Sequence, residues 1–182
     1  DQQGRFKLDI PMVCNGQVLF RTDDYNHYIY LSPGNTSAMT SPASGSMPRR
    51  RAMAPAAADT LSVHLSDTGR SIRDYDLVVT GDLGGFGSEM FLELCKDNGV
   101  DAERRHLDCG NLIFSGSQKV DSGGSGCGCS ASVLNAYLLE RIEQGDLRRI
   151  FFMATGALMS PTSGMQSESI PGIAHGVVLE RK

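Results

Sequence analysis

Two glycine-rich loops, each placed between a short strand pattern and a helix pattern, most constrain the fold of this chain. The first loop, Gly81–Gly87, follows the β-branched run Asp76–Thr80 and precedes a helix predicted over Ser88–Asn98. The second loop, Gly123–Ser130, opens a helix predicted over Ser130–Gln144. Strands that alternate with helices predict an α/β layered sheet. In open α/β sheets, ligands bind at the carboxyl ends of the strands, where such loops lie.

The other predicted elements extend this alternation. Pro55 is expected in the first turn of a helix that Gly69 ends. Further strands are predicted near Arg105–Asp108, over Arg148–Thr155 and over Gly172–Glu180. The run Gly16–Ser32 supplies one or two strands more.

The N-terminal part of the chain has a different texture. Pro33–Arg51 is rich in Pro, Ser, Gly and Thr and has almost no large apolar residues. Such a segment buries too little surface to offset its ordering entropy, so we predict a linker or a disordered segment. The basic run Arg49–Arg51 is interpreted as solvated rather than as a site for an acidic surface. We therefore divide the chain into an irregular segment, 1–51, and a layered domain, 52–182.

Composition excludes several classes of protein. The net charge of −4 gives no reason to expect a nucleic-acid partner. No apolar run approaches the roughly 18 residues of a membrane-spanning helix, and the first residues do not resemble a signal peptide. Five cysteines at irregular spacing do not indicate a disulfide framework, which favours a reducing, cytoplasmic compartment. No cofactor is predicted.

The loop Gly123–Ser130 has two interpretations. The free N–H groups at the start of the following helix, together with its dipole, favour an anion or a developing oxyanion. The clustered glycines Gly123, Gly124 and Gly126 suit equally well a tight turn and close packing of the helix on the sheet. The residues alone leave both interpretations open.

The thiols of Cys127 and Cys129 raise the question of metal binding or catalysis. A zinc site normally combines C-x2-4-C with a second ligand pair, and neither His106 nor Cys109 belongs to such a pair, so no metal site is predicted. A thiolate nucleophile would benefit from the helix start, but no base adjoins these residues in sequence. We interpret both thiols as packing beneath the start of the helix.

Asp82 and His175 are the remaining candidate residues. Thr80–Glu89 has the length of a phosphate loop but lacks its Lys-Ser/Thr and does not match G-x-G-x-x-G, so a nucleotide site is not favoured. Asp82 stands in this segment at the end of the strand. His175 lies in an apolar strand, where a histidine is more often a hydrogen-bonded core residue than a general base.

Several long motifs, in order, carry a resemblance to a known family. They are MAPAAADT (53–60), DYDLVVTGDLGGFG (74–87), DCGNLIF (108–114), GGSGCGCSASV (123–133) and ATGALMSPTSGMQSESIPGIAHGVVLE (154–180). Together they resemble the stage V sporulation protein AD family, from about Ala52 to the last residue. Residues 1–51 are not expected to belong to the resemblance.

The resemblance implies a fold and a role. The family is similar to thiolases and ketoacyl synthases III, which have two duplicated layered α/β halves, and this chain is similar to the C-terminal half. The expected fold is therefore a mixed β-sheet packed by helices. The family belongs to endospore-forming bacteria, binds dipicolinic acid, and helps move its calcium chelate into the forming spore. Small membrane proteins of the same sporulation system are its implied partners, and a role in spore germination accompanies this function.

The resemblance also implies an emptied active site. In ketoacyl synthases III, a histidine follows the strand that here is LVVT, and an asparagine lies in the loop that here is GGSGCGC. Here those places hold Thr80–Asp82 and glycine, serine and cysteine, so the oxyanion stabilisation of condensation is missing. We expect no catalytic residue. The expected ligand-binding residues, by this hypothesis, are Asp82, Gly124, Ser125, Gly126, Cys127 and His175.

Alternatives remain beside this interpretation. One is an acyl-transfer enzyme with Cys127 or Cys129 as nucleophile, and another is a truncated fragment without function. The expected location is the cytoplasm or the periphery of the spore inner membrane. A half-fold also leaves apolar surface uncovered, which predicts self-association.

Overall fold

A computed structural model describes residues 16–21, 25–31, 48–118, 120, 122–126, 128–157 and 172–181. Within these residues, six strands form one sheet in the order β1-β2-β6-β5-β3-β4. The strands are β1 (Gly16–Arg21), β2 (Tyr25–Leu31), β3 (Leu77–Thr80), β4 (His106–Asp108), β5 (Arg149–Ala157) and β6 (Gly172–Arg181). The helices are α1 (Pro48–Thr68), α2 (Gly84–Asp97), α3 (Cys109–Leu112), α4 (Cys129–Val133) and α5 (Leu139–Gln144). A 3-10 turn (Ile72–Asp74) follows α1, and a π-helical segment (Leu134–Leu138) joins α4 to α5.

Strand direction decides where the loops meet. β3 pairs in parallel with β4 on one side and with β5 on the other, and Thr80 lies opposite Asp108 and Met153. β6 runs antiparallel to β5 and to β2. The carboxyl ends of β3, β4 and β5 therefore share one edge of the sheet, and the segments that follow these strands start close together.

Helices cover both faces of the sheet. Successive residues of a strand point to opposite faces. Val78 and Phe151 accordingly pack with α1 and α2, while their neighbours Val79 and Phe152 pack with α4 and α5. The predicted α/β layered fold with a mixed sheet is thus confirmed.

The α1 layer lies very close to the sheet. Buried alanines line this helix from Ala54 to Ala58. The Thr60 hydroxyl donates a hydrogen bond of 2.9 Å to the carbonyl oxygen of Ala174 in β6. A Cβ added at Gly176 would lie 2.6 Å from Cε2 of Phe151, so only glycine fits at this point of β6. Small residues on both sides thus permit the close approach.

The predicted position of Pro55 is wrong. The α1 helix begins at Pro48, so Pro55 lies inside it rather than in its first turn. Proline removes one helical hydrogen bond and usually ends a helix. Here the residues on either side of Pro55, including Met53 and Leu61, are buried against the sheet, and this burial outweighs the lost bond.

Expectations for the N-terminal segment have mixed outcomes. The one or two strands predicted in Gly16–Ser32 are observed as β1 and β2. Most of the predicted linker Pro33–Arg51 lies outside the described residues, and its last residues form the first turn of α1. The described helices include none with the length and apolarity needed to cross a lipid bilayer.

A buried histidine that the sequence did not single out lies beneath α1. His64 is 1% exposed, and its Nε2 lies 2.6 Å from the Tyr75 hydroxyl. Its ring stacks on Phe151 with centroids 4.1 Å apart. Burial, with a smaller effect from the nearby charge of Arg70, lowers the pKa of His64 to about 4. The imidazole is therefore neutral in the folded protein near pH 7.

We predict that this histidine makes the stability of the protein sensitive to acid. The unfolded pKa of His64 is 6.5 and the folded pKa is about 4, so the unfolded chain binds more protons between these values. The contribution of neutral His64 is complete above pH 6.5 and is lost toward pH 4. The loss is about 1.4 kcal/mol per pH unit within that window. Urea unfolding at several pH values measures it.

The matched comparison uses two histidine variants. His64→Gln should reduce the slope of the unfolding free energy against pH between 6.5 and 4 by about 1.4 kcal/mol per pH unit, because His106, whose pKa burial also lowers to about 4, still contributes. His175→Gln, a change at an exposed position of β6, should keep the wild-type slope. Equal slopes for wild type and His64→Gln would contradict the assignment.

Candidate functional site

A buried carboxylate organises the edge where the parallel strands end. Asp108 is the last residue of β4 and is 3% exposed. Its Oδ2 accepts hydrogen bonds from the Thr80 hydroxyl (2.7 Å) and the Leu83 N–H (2.9 Å). Its Oδ1 accepts from the N–H groups of Gly84 (2.8 Å) and Asn111 (3.1 Å). One side chain thus binds β3 and caps both α2 and α3.

The hydrogen-bond donors around Asp108 indicate the protonation states of this carboxyl group and of the neighbouring His106. Burial raises the pKa of Asp108, and the four hydrogen bonds oppose that rise because they favour the charged form. The Thr80 hydroxyl has one hydrogen, which it gives to Asp108. The Nε2 of His106, 2.8 Å from Thr80 Oγ1, must therefore be the donor in that contact. Burial lowers the pKa of His106 to about 4, so this imidazole is neutral.

The first glycine-rich loop is largely helical. The helix predicted from Ser88 begins at Gly84, so the predicted loop boundary is wrong. The reason is that partners elsewhere in the chain satisfy the first N–H groups of α2. Beside Asp108, the Ser122 carbonyl accepts from Gly85 N–H (3.1 Å), and the Ser122 hydroxyl accepts from Phe86 N–H (3.3 Å). These capping contacts are distant in sequence, and the pattern of residues did not reveal them.

A second carboxylate, Asp82, joins the two glycine-rich loops. It follows β3 and is 9% exposed. Its Oδ2 accepts from the Ser125 hydroxyl (2.9 Å) and the Gly126 N–H (3.1 Å), and its Oδ1 accepts from the Thr155 hydroxyl (2.8 Å). Three of the expected ligand-binding residues therefore lie together. Thr155, which the sequence did not indicate, completes the group from β5.

Two glycines of the second loop have a clear packing role. The N–H of Gly124 donates to the carbonyl oxygen of Gly110 at 2.6 Å, and Gly123 has a φ of +84°. A Cβ on Gly110 would lie 2.5 Å from the Gly124 carbonyl oxygen. These glycines permit close backbone contact between the second loop and the start of α3. Gly126, with a φ of +128°, has open space around it.

Two residues of the expected ligand-binding site remain, Cys127 and His175. Cys127 lies outside the described residues. His175 lies opposite Ala154 in the β5–β6 register, and its side chain is exposed. The interpretation of His175 as a core residue is therefore wrong. The strand alternation places it on the face that holds Leu179, beyond the part covered by α4 and α5.

The described thiols near this site are poor nucleophiles. Burial raises the pKa of Cys129, and the charges of Asp82 and Asp108 raise it further. The same causes, led by burial, raise the pKa of Cys109 to about 12. Both thiols pack in the core beneath α4. Within the described part of the chain, no group of three His, Cys, Asp or Glu side chains is arranged to hold a metal ion.

The site therefore has internal anions at the place where an external anion was expected. The Asp82 carboxylate already accepts from the Ser125 hydroxyl and the Gly126 N–H. A free carboxylate ligand would compete with Asp82 for these donors and would be repelled by its charge. A ligand that carries a cation beside its carboxylates would instead be attracted.

We predict that Asp108→Asn destabilises the protein by about 2–4 kcal/mol. The asparagine amide keeps one acceptor oxygen but replaces the other with an NH2 group. That NH2 group would face backbone N–H donors, which it cannot accept from. Urea unfolding at pH 7 measures the change. The control is Asp74→Asn, because Asp74 accepts hydrogen bonds from Ser71 but is exposed. Equal, small effects of the two substitutions would show that Asp108 does not hold this edge together.

A family model and a solved structure match this chain. A family model described as Stage V sporulation protein AD matches residues 14–180. The match begins upstream of the boundary predicted between residues 51 and 52, and that boundary stays a prediction. A solved structure of a tetronic acid condensing enzyme aligns with a TM-score of 0.45 and 18% identity over 94% of this chain and 47% of that chain.

A curated relative matches more closely in sequence. The stage V sporulation protein AD of Bacillus subtilis (strain 168) is 51% identical over 130 residues, which are 71% of this chain and 38% of that protein. The chain thus spans well under half of the relative's length. Because the family model covers most of the chain, the chain belongs to the stage V sporulation protein AD family.

Proposed function

We propose that this chain is part of a non-catalytic subunit that binds dipicolinic acid and helps move its calcium chelate into the forming spore. Membership of the family supports a role in sporulation. The observation that carries the finer proposal is the Asp82 cluster, in which a carboxylate, a hydroxyl and a loop N–H converge at the carboxyl edge of the sheet.

The charges of this cluster favour the calcium chelate over the free dianion. Dipicolinate carries two carboxylates, and both would meet the negative charges of Asp82 and Asp108. Calcium cancels the ligand's charge and is itself a hard cation that prefers carboxylate oxygens. Asp82, which is 9% exposed, can offer an oxygen to a chelated calcium ion, while Ser125 and Gly126 turn their donors to a ligand carboxylate. Calcium is here part of the cargo.

Among the described residues, the thiol and the imidazole near this cluster are poorly suited to nucleophilic chemistry, which supports binding rather than catalysis. An acyl-transfer enzyme needs a thiolate and a base. Burial and two carboxylates raise the pKa of the Cys129 thiol, and the neutral His106 is held by Thr80. Incubation with an acyl thioester should leave Cys129 unmodified. A covalent adduct that Cys129→Ser abolishes would establish the enzymatic alternative.

The proposal extends to location and partners. We place the subunit at the periphery of the spore inner membrane, where small membrane proteins of the same sporulation system would receive the ligand. This location and these partners are proposed only because the chain belongs to the family. Co-purification of the full-length family protein with these membrane subunits is the corresponding observation.

Calorimetric titration tests the ligand and its form. We expect this chain and the full-length Bacillus subtilis relative to bind dipicolinate at least tenfold more tightly with equimolar calcium than with a chelator, a difference of about 1.4 kcal/mol. In this chain, Asp82→Asn should remove most of the calcium dependence, and Ser125→Ala should weaken binding in both conditions.

The matched control is Ser117→Ala, since Ser117 is an exposed serine that does not contact Asp82. Its affinity should equal that of the wild type. Tighter binding of free dipicolinate than of the chelate would overturn the proposed ligand form. Absence of binding to the full-length relative would overturn the function itself.

A further inference from the structure

An aromatic side chain lies against the loop that carries the donors of the Asp82 cluster. Phe114 follows α3 and is 37% exposed. A Cβ added at Gly124 would lie 3.2 Å from Cε2 of Phe114 and 2.5 Å from Cγ2 of its neighbour Ile113. Gly124 immediately precedes Ser125, whose hydroxyl donates to Asp82 at 2.9 Å. The phenyl ring is thus next to the residue before a donor of the cluster.

The backbone of α3 fixes this neighbourhood. The N–H of Gly124 donates to the carbonyl oxygen of Gly110 at 2.6 Å, and a Cβ added at Gly110 would lie 3.4 Å from Cα of Asp82. The segment from Gly110 to Phe114 therefore passes Asp82 at one end and lies against Gly124 at the other. Because Gly124 has no side chain, Ile113 and Phe114 have room beside it. This gives Gly124, an expected ligand-binding residue, a role in placing apolar side chains beside the polar ones.

A ligand can reach both the polar and the aromatic groups from solvent. Ser125 and Gly126 are exposed, and Phe114 is partly exposed. A carboxylate, two donors and a phenyl ring are therefore presented along one loop. Offset-stacked aromatic pairs are more stable than their buried area alone accounts for, so this ring can add to the binding of a planar ligand.

We propose that Phe114 is a specificity residue whose ring stacks on a planar aromatic dicarboxylate while the Asp82 cluster holds the polar edge of that ligand. The inference rests on the proposed function and names what recognises the ring of the ligand. Dipicolinate is a planar pyridine with a carboxylate on each side of the ring nitrogen. This nitrogen and both carboxylates chelate calcium, so the ion lies in the plane of the ring. Asp82 would approach the ion in that plane, which leaves the faces of the ring open to Phe114.

The electronic character of the ligand favours this stacking. The ring nitrogen and the calcium ion bound to it withdraw electron density from the pyridine ring. An electron-poor ring is attracted to the electron-rich face of a phenyl ring, because their quadrupoles are complementary. An aliphatic chelate has no such face. We therefore expect the site to prefer an aromatic chelate over an aliphatic one with the same donor atoms.

Calorimetric titration of this chain with two calcium chelates tests the proposal. Iminodiacetate has the nitrogen and the two carboxylates of dipicolinate in the same connectivity but has no ring. Phe114→Leu keeps apolar bulk and removes the aromatic face, so it should weaken the binding of calcium dipicolinate about fivefold. The binding of calcium iminodiacetate should be the same in the wild type and the variant. Comparing the two proteins with each ligand at one calcium concentration cancels the ligand's own affinity for calcium.

Two further variants make the result specific. Phe114→Tyr keeps the aromatic face and should bind calcium dipicolinate as the wild type does. Leu112→Ala removes an apolar side chain of similar exposure (39%) from α3, and its affinity should also equal that of the wild type. Circular dichroism checks that each variant is folded. These comparisons decide the role of the ring even if iminodiacetate binds too weakly to titrate.

The outcomes separate this inference from the proposed function. Equal affinity of the wild type and Phe114→Leu for calcium dipicolinate would overturn the role of Phe114 and leave the proposed ligand intact. An equal loss for both chelates would also overturn it, because stacking requires a ring. Binding by the full-length Bacillus subtilis relative but not by this chain would overturn the inference alone. Absence of binding to both proteins would overturn the proposed function, and the inference with it.

Discussion

The four hydrogen bonds to the buried Asp108 carboxylate are the interaction on which the carboxyl edge of this sheet depends. Thr80 links the carboxylate to β3, and the N–H groups of Leu83, Gly84 and Asn111 link it to the starts of α2 and α3. Burial of a carboxylate is costly unless every lone pair direction finds a donor. Here each oxygen has two donors, which favour the charged form, and these contacts hold three elements in one arrangement.

The Asp82 cluster depends on that arrangement. Asp82 lies between the end of β3 and the start of α2, so the contacts of Asp108 set its position. It then joins Ser125 and Gly126 of the second glycine-rich loop to Thr155 of β5. Two adjacent internal carboxylates make the edge anionic, which is why a calcium-bearing ligand suits it better than a free anion. The same charges raise the pKa of Cys129, which disfavours nucleophilic chemistry at that residue.

Local patterns predicted the layered fold well. The β-branched run that became β3, the apolar run that became β5 and the apolar spacing of the helix that begins at Cys129 are signals within a few residues of sequence. The predictions were wrong where residues distant in sequence determine the local structure. Gly84–Gly87 became helical because Asp108 and Ser122 cap it, and Pro55 stayed in α1 because burial outweighed its lost bond. The candidate site was predicted only in part, since Asp108 and Thr155 act through contacts across the sheet.

Hydrogen exchange at the start of α2 tests the central role of Asp108 most directly. We expect the N–H groups of Leu83 and Gly84 to exchange slowly in the wild type at pH 7, because both donate to the buried carboxylate. In Asp108→Asn they should exchange at least tenfold faster, while the amide of Val178 in β6 stays closer to its wild-type protection. Unchanged protection of Leu83 and Gly84 in the variant would contradict the claim that this carboxylate holds the edge of the sheet together.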